Sequence, residues 1–315
     1  MSMSKISIVG AGMVGSTTAQ RLAEREAGEI VLLDILGGVA RGKALDIRQA
    51  GAAVGYDTPI RGTDDYQETV DSDIVIVTAG FPRKPGMSRE ELLKTNGGIV
   101  REIASKIVEY SPGALVIVVT NPLDVMTFLT LKVTGFPRER VMGMSGVLDS
   151  LRMASFIAEE LGVSVKDVSA LVLGGHGDTM LPLARYTSVQ GVPLVELLEA
   201  EQVARIVERT IHGGAEIVGL LQTGSAFYAP AAAITVMVEA ILKDKNSLLP
   251  VSAYLQGEYG EKDLCLGVPV KLGRKGIKEI LELPLTDEEK TALAKSADTV
   301  KKGIDSLKGL GLLPN

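Results

Sequence analysis

The first half of the chain alternates short runs that are apolar at every position with longer stretches whose apolar residues recur at helical spacing. Residues 30–33, 74–77 and 115–119 are uninterrupted runs, and 6–9 is broken only by Ser7; all are rich in β-branched residues or leucine and flanked by turn residues. Strands without a polar face belong in a parallel sheet covered by helices on both sides. Residues 13–25 and the region around 42–49 carry the helical period. Strands and helices in alternation imply right-handed βαβ units, and hence an α/β fold with a doubly wound parallel sheet.

Beyond residue 145 the pattern changes. A helix is expected over 148–161, stopped by Gly162, followed by strand-like pieces over 168–173 and 183–189. Helices over 202–221 and 226–243 come next, then strands over 251–255 and 265–272 and a charged amphipathic helix over 287–307. This reads as a second, α+β lobe, with the division at 1–145 and 146–315 and no flexible linker between. The 22 residues 217–238 carry no charge and are long enough to span a bilayer. Gln222, Thr223, Gly224, Ser225 and Pro230 interrupt them, so the expectation is two buried helical segments meeting at a polar turn. Gly213 and Gly214 cost about 1 kcal/mol each relative to alanine inside a helix, which points to close helix packing there, between subunits as one option.

Composition narrows the function. A chain of 315 residues exceeds the usual single domain, and 46% hydrophobic content rules out a disordered one. The 33 basic and 39 acidic side chains give a net charge of −6, which argues against nucleic acid as a partner. The lone cysteine, Cys265, excludes an internal disulfide and a thiol-rich metal site. Set between Leu264 and Leu266, it reads as a small buried residue. Residues 1–8 hold one lysine and no long apolar stretch, so no signal peptide is read there. The expectation is a cytoplasmic protein with no membrane segment and no metal.

The sharpest local signal is Gly10-Ala11-Gly12-Met13-Val14-Gly15, which follows a strand, opens a helix, and precedes Asp34 at the end of the second strand. That context is the dinucleotide-binding fingerprint. Gly10 serves the tight turn, Gly12 the approach of the pyrophosphate, and Gly15 the close packing of helix on sheet. Asp34 is placed to accept from the adenosine ribose hydroxyls and to repel a 2′-phosphate, which favours NAD over NADP. The alternative is an ordinary glycine turn with a surface aspartate.

Ligands of doubly wound sheets sit beyond the carboxyl ends of the strands. Those ends carry Thr78, Ala79 and Gly80 in one strand and Val119, Thr120, Asn121 and Pro122 in the next. Asn121 is placed to donate to a substrate oxygen, although Asn-Pro is also a common turn pair. Residues 81–90, FPRKPGMSRE, bring Arg83, Lys84 and Arg89 into a stiff loop directly after a ligand-facing strand end. The loop reads equally as a lid carrying positive charge to an anionic substrate or as a solvated loop before a helix capped by Ser88. Asp149 and Arg152 share a helix face, as a surface ion pair or, given Val147, Leu148 and Leu151, as a buried one. The chain has two histidines. His176 stands in GGHGD at a strand end, as a general base or a turn residue, whereas His212 lies within a helix and reads as structural or exposed.

Together, GAGMVG, Asp34, TAGFPRKPGMSR, VTNP, LDSLR and GGHGD, continued by GSAFYAPAAA at 224–233, resemble the lactate/malate dehydrogenase superfamily. Within it, the chain is most similar to malate dehydrogenases of the lactate dehydrogenase-like type. The resemblance covers nearly the whole chain with its motifs in order. It implies an N-terminal Rossmann domain binding NAD and a C-terminal α+β substrate domain, in an oxidoreductase of the tricarboxylic acid cycle. By the same resemblance His176 is the acid/base and Asp149 its partner, Arg152 binds the substrate C1 carboxylate, Arg89 polarises the carbonyl, and Asn121 binds the substrate oxygen. Gly10, Ala11, Gly12, Met13, Val14, Gly15, Asp34, Asn96, Val119, Thr120 and Asn121 are the implied cofactor contacts, and Gly224 and Ser225 the implied pocket lining. Gly97 and Gly98 depart from the family's usual pattern. Arg83 matches the position at which arginine selects a second carboxylate and glutamine a lactate, which implies malate and oxaloacetate. A different 2-hydroxy acid, or an NAD-binding sensor without chemistry, are the alternatives. The family forms dimers and tetramers, and this branch implies a homotetramer.

Overall fold

The computed structural model describes residues 3–82 and 88–314, apart from the side chain of Arg89. In the first half the apolar runs form strands and the stretches between them form helices. In chain order these are β1 (Lys5–Val9), α1 (Met13–Ala23), β2 (Glu29–Leu33), α2 (Gly37–Val54), β3 (Ile60–Thr63) and β4 (Ile74–Val77). There follow α3 (Arg89–Tyr110), β5 (Leu115–Val118), α4 (Leu123–Thr134), β6 (Val141–Gly143) and α5 (Gly146–Leu161). The strands pair in parallel in the order β3–β2–β1–β4–β5–β6, and every residue of β4 and β5 is buried. The ends of the helices are set by local chemistry. Ser88 and Glu91 close a reciprocal capping box at the start of α3, and Gly162 ends α5 in a left-handed conformation. α3 runs unbroken through Gly97, where the C-terminal segment presses in. A Cβ there would stand 2.7 Å from Leu312 and 3.3 Å from Leu307.

The second half continues with the short strands β7 (Val168–Ser169), β8 (Val172–Leu173), β9 (Leu181–Pro182), β10 (Ser188–Val189) and β11 (Val192–Pro193). After them come α6 (Leu194–Leu197), α7 (Ala200–Leu221), α8 (Tyr228–Leu242), β12 (Ser247–Gln256), β13 (Lys262–Gly273), β14 (Gly276–Ile280) and α9 (Asp287–Gly309). Two expected strands are corrected. Residues 168–173 divide between two sheets, β7 pairing with β10 and β8 with β9. Residues 183–189 contain a helical turn at Ala184–Tyr186, so only β10 is extended there. The 22-residue uncharged stretch is split as expected at 222–227, but only α8 is buried. Val218, Leu220 and Leu221 at the end of α7 are exposed. No helix among the described residues is long and apolar enough to cross a membrane.

The long strands of the second half extend the first sheet. β12 pairs antiparallel with β6 through Ser252 and Gly143, and β13 and β14 follow, so the described residues form one nine-stranded sheet. This covers what would otherwise be an open edge at β6. It also places the loop after β8 against β13, where Gly174 and Gly267 exchange main-chain hydrogen bonds of 2.8 and 3.1 Å. Cys265 on β13 is fully buried, and burial holds its thiol well above the usual range.

Candidate active site

The glycine turn sits between β1 and α1. Gly10 has φ +112°, and a Cβ on it would stand 2.6 Å from the Ala79 nitrogen. A Cβ on Gly15 would lie 1.9 Å from the Gly10 carbonyl oxygen, so only glycine lets α1 approach this closely. Gly12 is different: no atom lies within 4 Å of its Cβ position. It starts a helix with no side-chain cap and no acid in its first turn. The result is an open cradle of main-chain N–H groups at a helix N-terminus, which fits the pyrophosphate of a dinucleotide. Ala11 and Gly15 are buried, Val14 is half-buried, and Gly12 and Met13 are exposed. Asp34 accepts from Ala11 N–H at 2.7 Å and from Leu36 N–H at 2.9 Å, so it braces the turn. Lys43, which sequence reasoning missed, donates to the Ala11 carbonyl at 2.7 Å and ties α2 to the same turn.

The ends of β4 and β5 are locked together. Thr120 Oγ1 donates to the Ala79 carbonyl at 2.7 Å, and both Thr120 and Val119 are buried. Asn96 on α3 is also buried, and its amide is engaged with main chain. Oδ1 accepts from Phe81 N–H at 2.9 Å, while Nδ2 donates to the Phe81 carbonyl at 3.1 Å and to the Asn121 carbonyl at 2.7 Å. Asn121 itself is exposed and precedes a cis peptide to Pro122. Arg83 and the rest of residues 83–87 lie outside the described residues, as does the side chain of Arg89.

The second cluster joins residues that are far apart in sequence. Asp149, in the first turn of α5, is 1% exposed. Its Oδ2 accepts from His176 Nδ1 at 2.8 Å and its Oδ1 from Arg152 Nη1 at 3.2 Å. The pair is therefore buried, which settles the surface alternative. With Nδ1 held, Nε2 is the imidazole nitrogen left for chemistry. Burial pulls the proton affinity of His176 down, but the charge and hydrogen bond of Asp149 more than offset this; Arg152 lowers it and Asp124 raises it, and the net direction is upward. Among the described residues Arg152 Nε is buried without a partner. Gly213 and Gly214 on α7 face this same arginine. Their Cβ positions lie 3.5 Å from Arg152 Cδ and 3.6 Å from its terminal nitrogens. The close packing expected of them is thus within the chain, beside the guanidinium. His212 is exposed, as are Gly224 and Ser225 in the connection to α8.

Asp124 also escaped sequence reasoning. It accepts from the main-chain N–H of His176 at 2.7 Å and from Ser252 Oγ at 2.6 Å. The signal was present: it is the only charge between Pro122 and Leu131, a stretch that is otherwise apolar apart from Thr127 and Thr130. Nearby, Ser296 Oγ accepts from Gly175 N–H at 2.8 Å.

The chain is similar to known proteins in both sequence and fold. Residues 4–143 match the lactate/malate dehydrogenase NAD binding domain, and residues 146–310 match the lactate/malate dehydrogenase alpha/beta C-terminal domain. The chain is 58% identical over 305 residues to a malate dehydrogenase of Methanosarcina acetivorans, covering 97% of this chain and 99% of that one. The crystal structure of malate dehydrogenase from Salinibacter ruber superposes with a TM-score of 0.93 at 50% identity, covering 98% of each chain. A lactate dehydrogenase of Cryptosporidium parvum, complexed with lactic acid and nicotinamide adenine dinucleotide, superposes at 0.94 and 41% identity over the full length of both. With the glycine turn on β1, the buried histidine–aspartate pair and nearly full-length matches in sequence and fold, the chain belongs to the lactate/malate dehydrogenase family.

Proposed function

We propose that this chain is an NAD-dependent malate dehydrogenase that interconverts (S)-malate and oxaloacetate. The observation that carries the chemistry is the buried His176–Asp149–Arg152 cluster, with one imidazole nitrogen on a carboxylate and the other left for a substrate. The chemistry that bound NAD would supply is hydride exchange with the substrate's second carbon, NAD⁺ as acceptor in malate oxidation and NADH as donor in oxaloacetate reduction. The Gly12 cradle and Asp34 would hold the cofactor, with Asn96 fixing the Asn121 main chain beside it. Val119 and Thr120, being buried, support that wall through the main chain.

The proton step belongs to His176. In malate oxidation Nε2 takes the hydroxyl proton, and Asp149 stabilises the imidazolium that results. In oxaloacetate reduction the same nitrogen returns the proton to the developing alkoxide. Arg152 offers a planar fork to the C1 carboxylate. Arg89 is assigned to the carbonyl oxygen, Asn121 to the substrate oxygen, and Arg83 to the second carboxylate. Pyruvate has one carboxylate and oxaloacetate two, so a second arginine is matched only by the latter. We place the functional division at 1–145 and 146–315, with the cofactor and the substrate-facing Arg83, Arg89 and Asn121 on the first part and His176, Asp149 and Arg152 on the second.

We assign the chain to the cytoplasm, with no nucleic-acid or membrane partner, in keeping with its acidic balance. We further assign a homotetramer, a dimer being the smaller alternative. Exposed Leu45 and Val54 on α2 and Leu220 on α7 are apolar surface that assembly would cover. The activity is tested by mixing the protein with NADH and oxaloacetate and following both NADH consumption and malate formation. Equimolar conversion is expected, and NADH binding without turnover would favour the sensor. The same assay with NADPH tests Asp34. kcat/KM should favour NADH by at least about tenfold, a difference of ~1.4 kcal/mol. Equal values would remove the role given to Asp34.

A further inference from the structure

The loop that carries His176 is held by three different elements. Gly174 N–H donates to Gly267 on β13, Gly175 N–H to Ser296 on α9, and His176 N–H to Asp124 on α4. Of these acceptors only Asp124 can bring a charge. Its carboxylate is buried, 4% exposed, and its two hydrogen bonds come from a main-chain N–H, which can only donate, and from Ser252 Oγ. A Cβ on Gly175 would stand 3.3 Å from Asp124 Oδ2, so the glycine leaves room for the acid to reach the loop. Asp124 also lies in the first turn of α4, where the unpaired N–H groups of a helix favour a negative charge.

We propose that Asp124 is an ionised positioning residue for proton transfer, holding the main chain of His176 while Asp149 holds its ring, and supplying the second buried negative charge beside the imidazole. This rests on His176 being the acid/base, as argued above. Among the described residues, Asp149 and Arg152 from α5 and Asp124 from α4 are the charges that act on the imidazole, with the exposed Asp178 following on its own loop. Burial pushes the Asp124 carboxyl up and sets the net direction, with the charge of Asp149 adding to it, while the Ser252 and His176 hydrogen bonds and the charge of His176 pull against it. The charge of Asp124 also adds to the upward push on the buried thiol of Cys265 on β13. A neutral Asp124 would keep the loop in place but leave the proton affinity of His176 unsupported from this side.

Asp124→Asn separates the two effects. Its amide oxygen can accept from the His176 N–H and its nitrogen can donate to Ser252 Oγ, so the shape is kept and the charge is lost. Two readouts apply: the pH limb of kcat/KM for oxaloacetate reduction, and NMR titration of the histidine rings, of which the chain has two. Both should move to lower pH, so that above the wild-type limb the rate falls by about three- to tenfold, with NADH affinity unchanged. Asp124→Ser should shift both the same way. A folded neutral variant with a wild-type limb and a wild-type ring titration overturns the proposal. If neither neutral variant folds, Asp124 serves the fold and not the proton transfer, and the proposal is again overturned. His176→Asn, measured alongside, keeps the two questions apart. Near-normal turnover in that variant would sink the acid/base assignment. An inactive His176→Asn beside an unshifted Asp124→Asn would sink only the role of Asp124.

Discussion

Replacing His176 with asparagine should cut turnover in both directions by ~10²–10⁴, the usual worth of a positioned general acid/base. The expectation rests on the company the residue keeps: Nδ1 on a 1%-exposed aspartate, main chain on a second buried acid, and Arg152 on the same aspartate. NADH binding should survive, because the Gly12 cradle and Asp34 lie at the end of β1 and β2 and share none of these bonds. The pH dependence gives the sign. Asp149 raises the proton affinity of His176 above its ordinary pKa of 6.5. Oxaloacetate reduction needs the imidazolium, so its kcat/KM should stay on a plateau through that pH and fall at higher pH. Malate oxidation needs the neutral ring and should rise across the same window. Both limbs should vanish in His176→Asn. A variant that folds, binds NADH and keeps wild-type rates would show that His176 is only a loop residue.

Arg152→Gln should be nearly as damaging, by a different route. The Arg152 side chain is 11% exposed, donates one bond to Asp149, and keeps a buried Nε with no partner among the described residues. Such an arrangement is incomplete until a second anion arrives. Removing one partner of a buried charge pair typically costs 3–5 kcal/mol, because the other is left unpaired. Here the unpaired group is the substrate carboxylate, and kcat/KM for oxaloacetate should fall by roughly 10²–10³. The signature lies in the pH profile. Arg152 lowers the proton affinity of His176, so its loss should move the reduction limb to higher pH, opposite to the shift expected for Asp124→Asn. A lower rate with an unmoved limb would mean that the guanidinium does not act on the imidazole.

The parts of this architecture legible in the sequence are those that local pattern determines. β1, β4 and β5 show as runs because both faces of each are covered, and α5 and α9 show because their apolar faces keep the helical period. β3 was not legible, since Arg61 and Gly62 break its run, nor was β6, which is three residues long. Residues 168–173 misled for a related reason: apolar composition does not reveal that a chain changes sheets in mid-run. At the site, the glycine turn and Asp34 were readable because their spacing is local. His176 and Asp149 are 27 residues apart, and only the resemblance of GGHGD and LDSLR to known motifs paired them ahead of the structure. Asp124 and Ser252 are 128 residues apart, and nothing in either neighbourhood announces the other. Gly213 and Gly214 were visible as an anomaly, but their reason, the room beside Arg152, is tertiary.

Substrate choice is the central claim, and it rests on counting charge: Arg152 for one carboxylate and Arg83, in the FPRKPGMSR segment, for the other. The direct measurement is the ratio of kcat/KM for oxaloacetate to that for pyruvate, with NADH at one pH and ionic strength, in wild type and in Arg83→Gln. Oxaloacetate should be favoured by at least ~10² in wild type, and the variant should close much of the gap by losing oxaloacetate activity and gaining some on pyruvate. Equal activity on the two acids in wild type, or a ratio unmoved by Arg83→Gln, would contradict this and leave only a general 2-hydroxy-acid dehydrogenase.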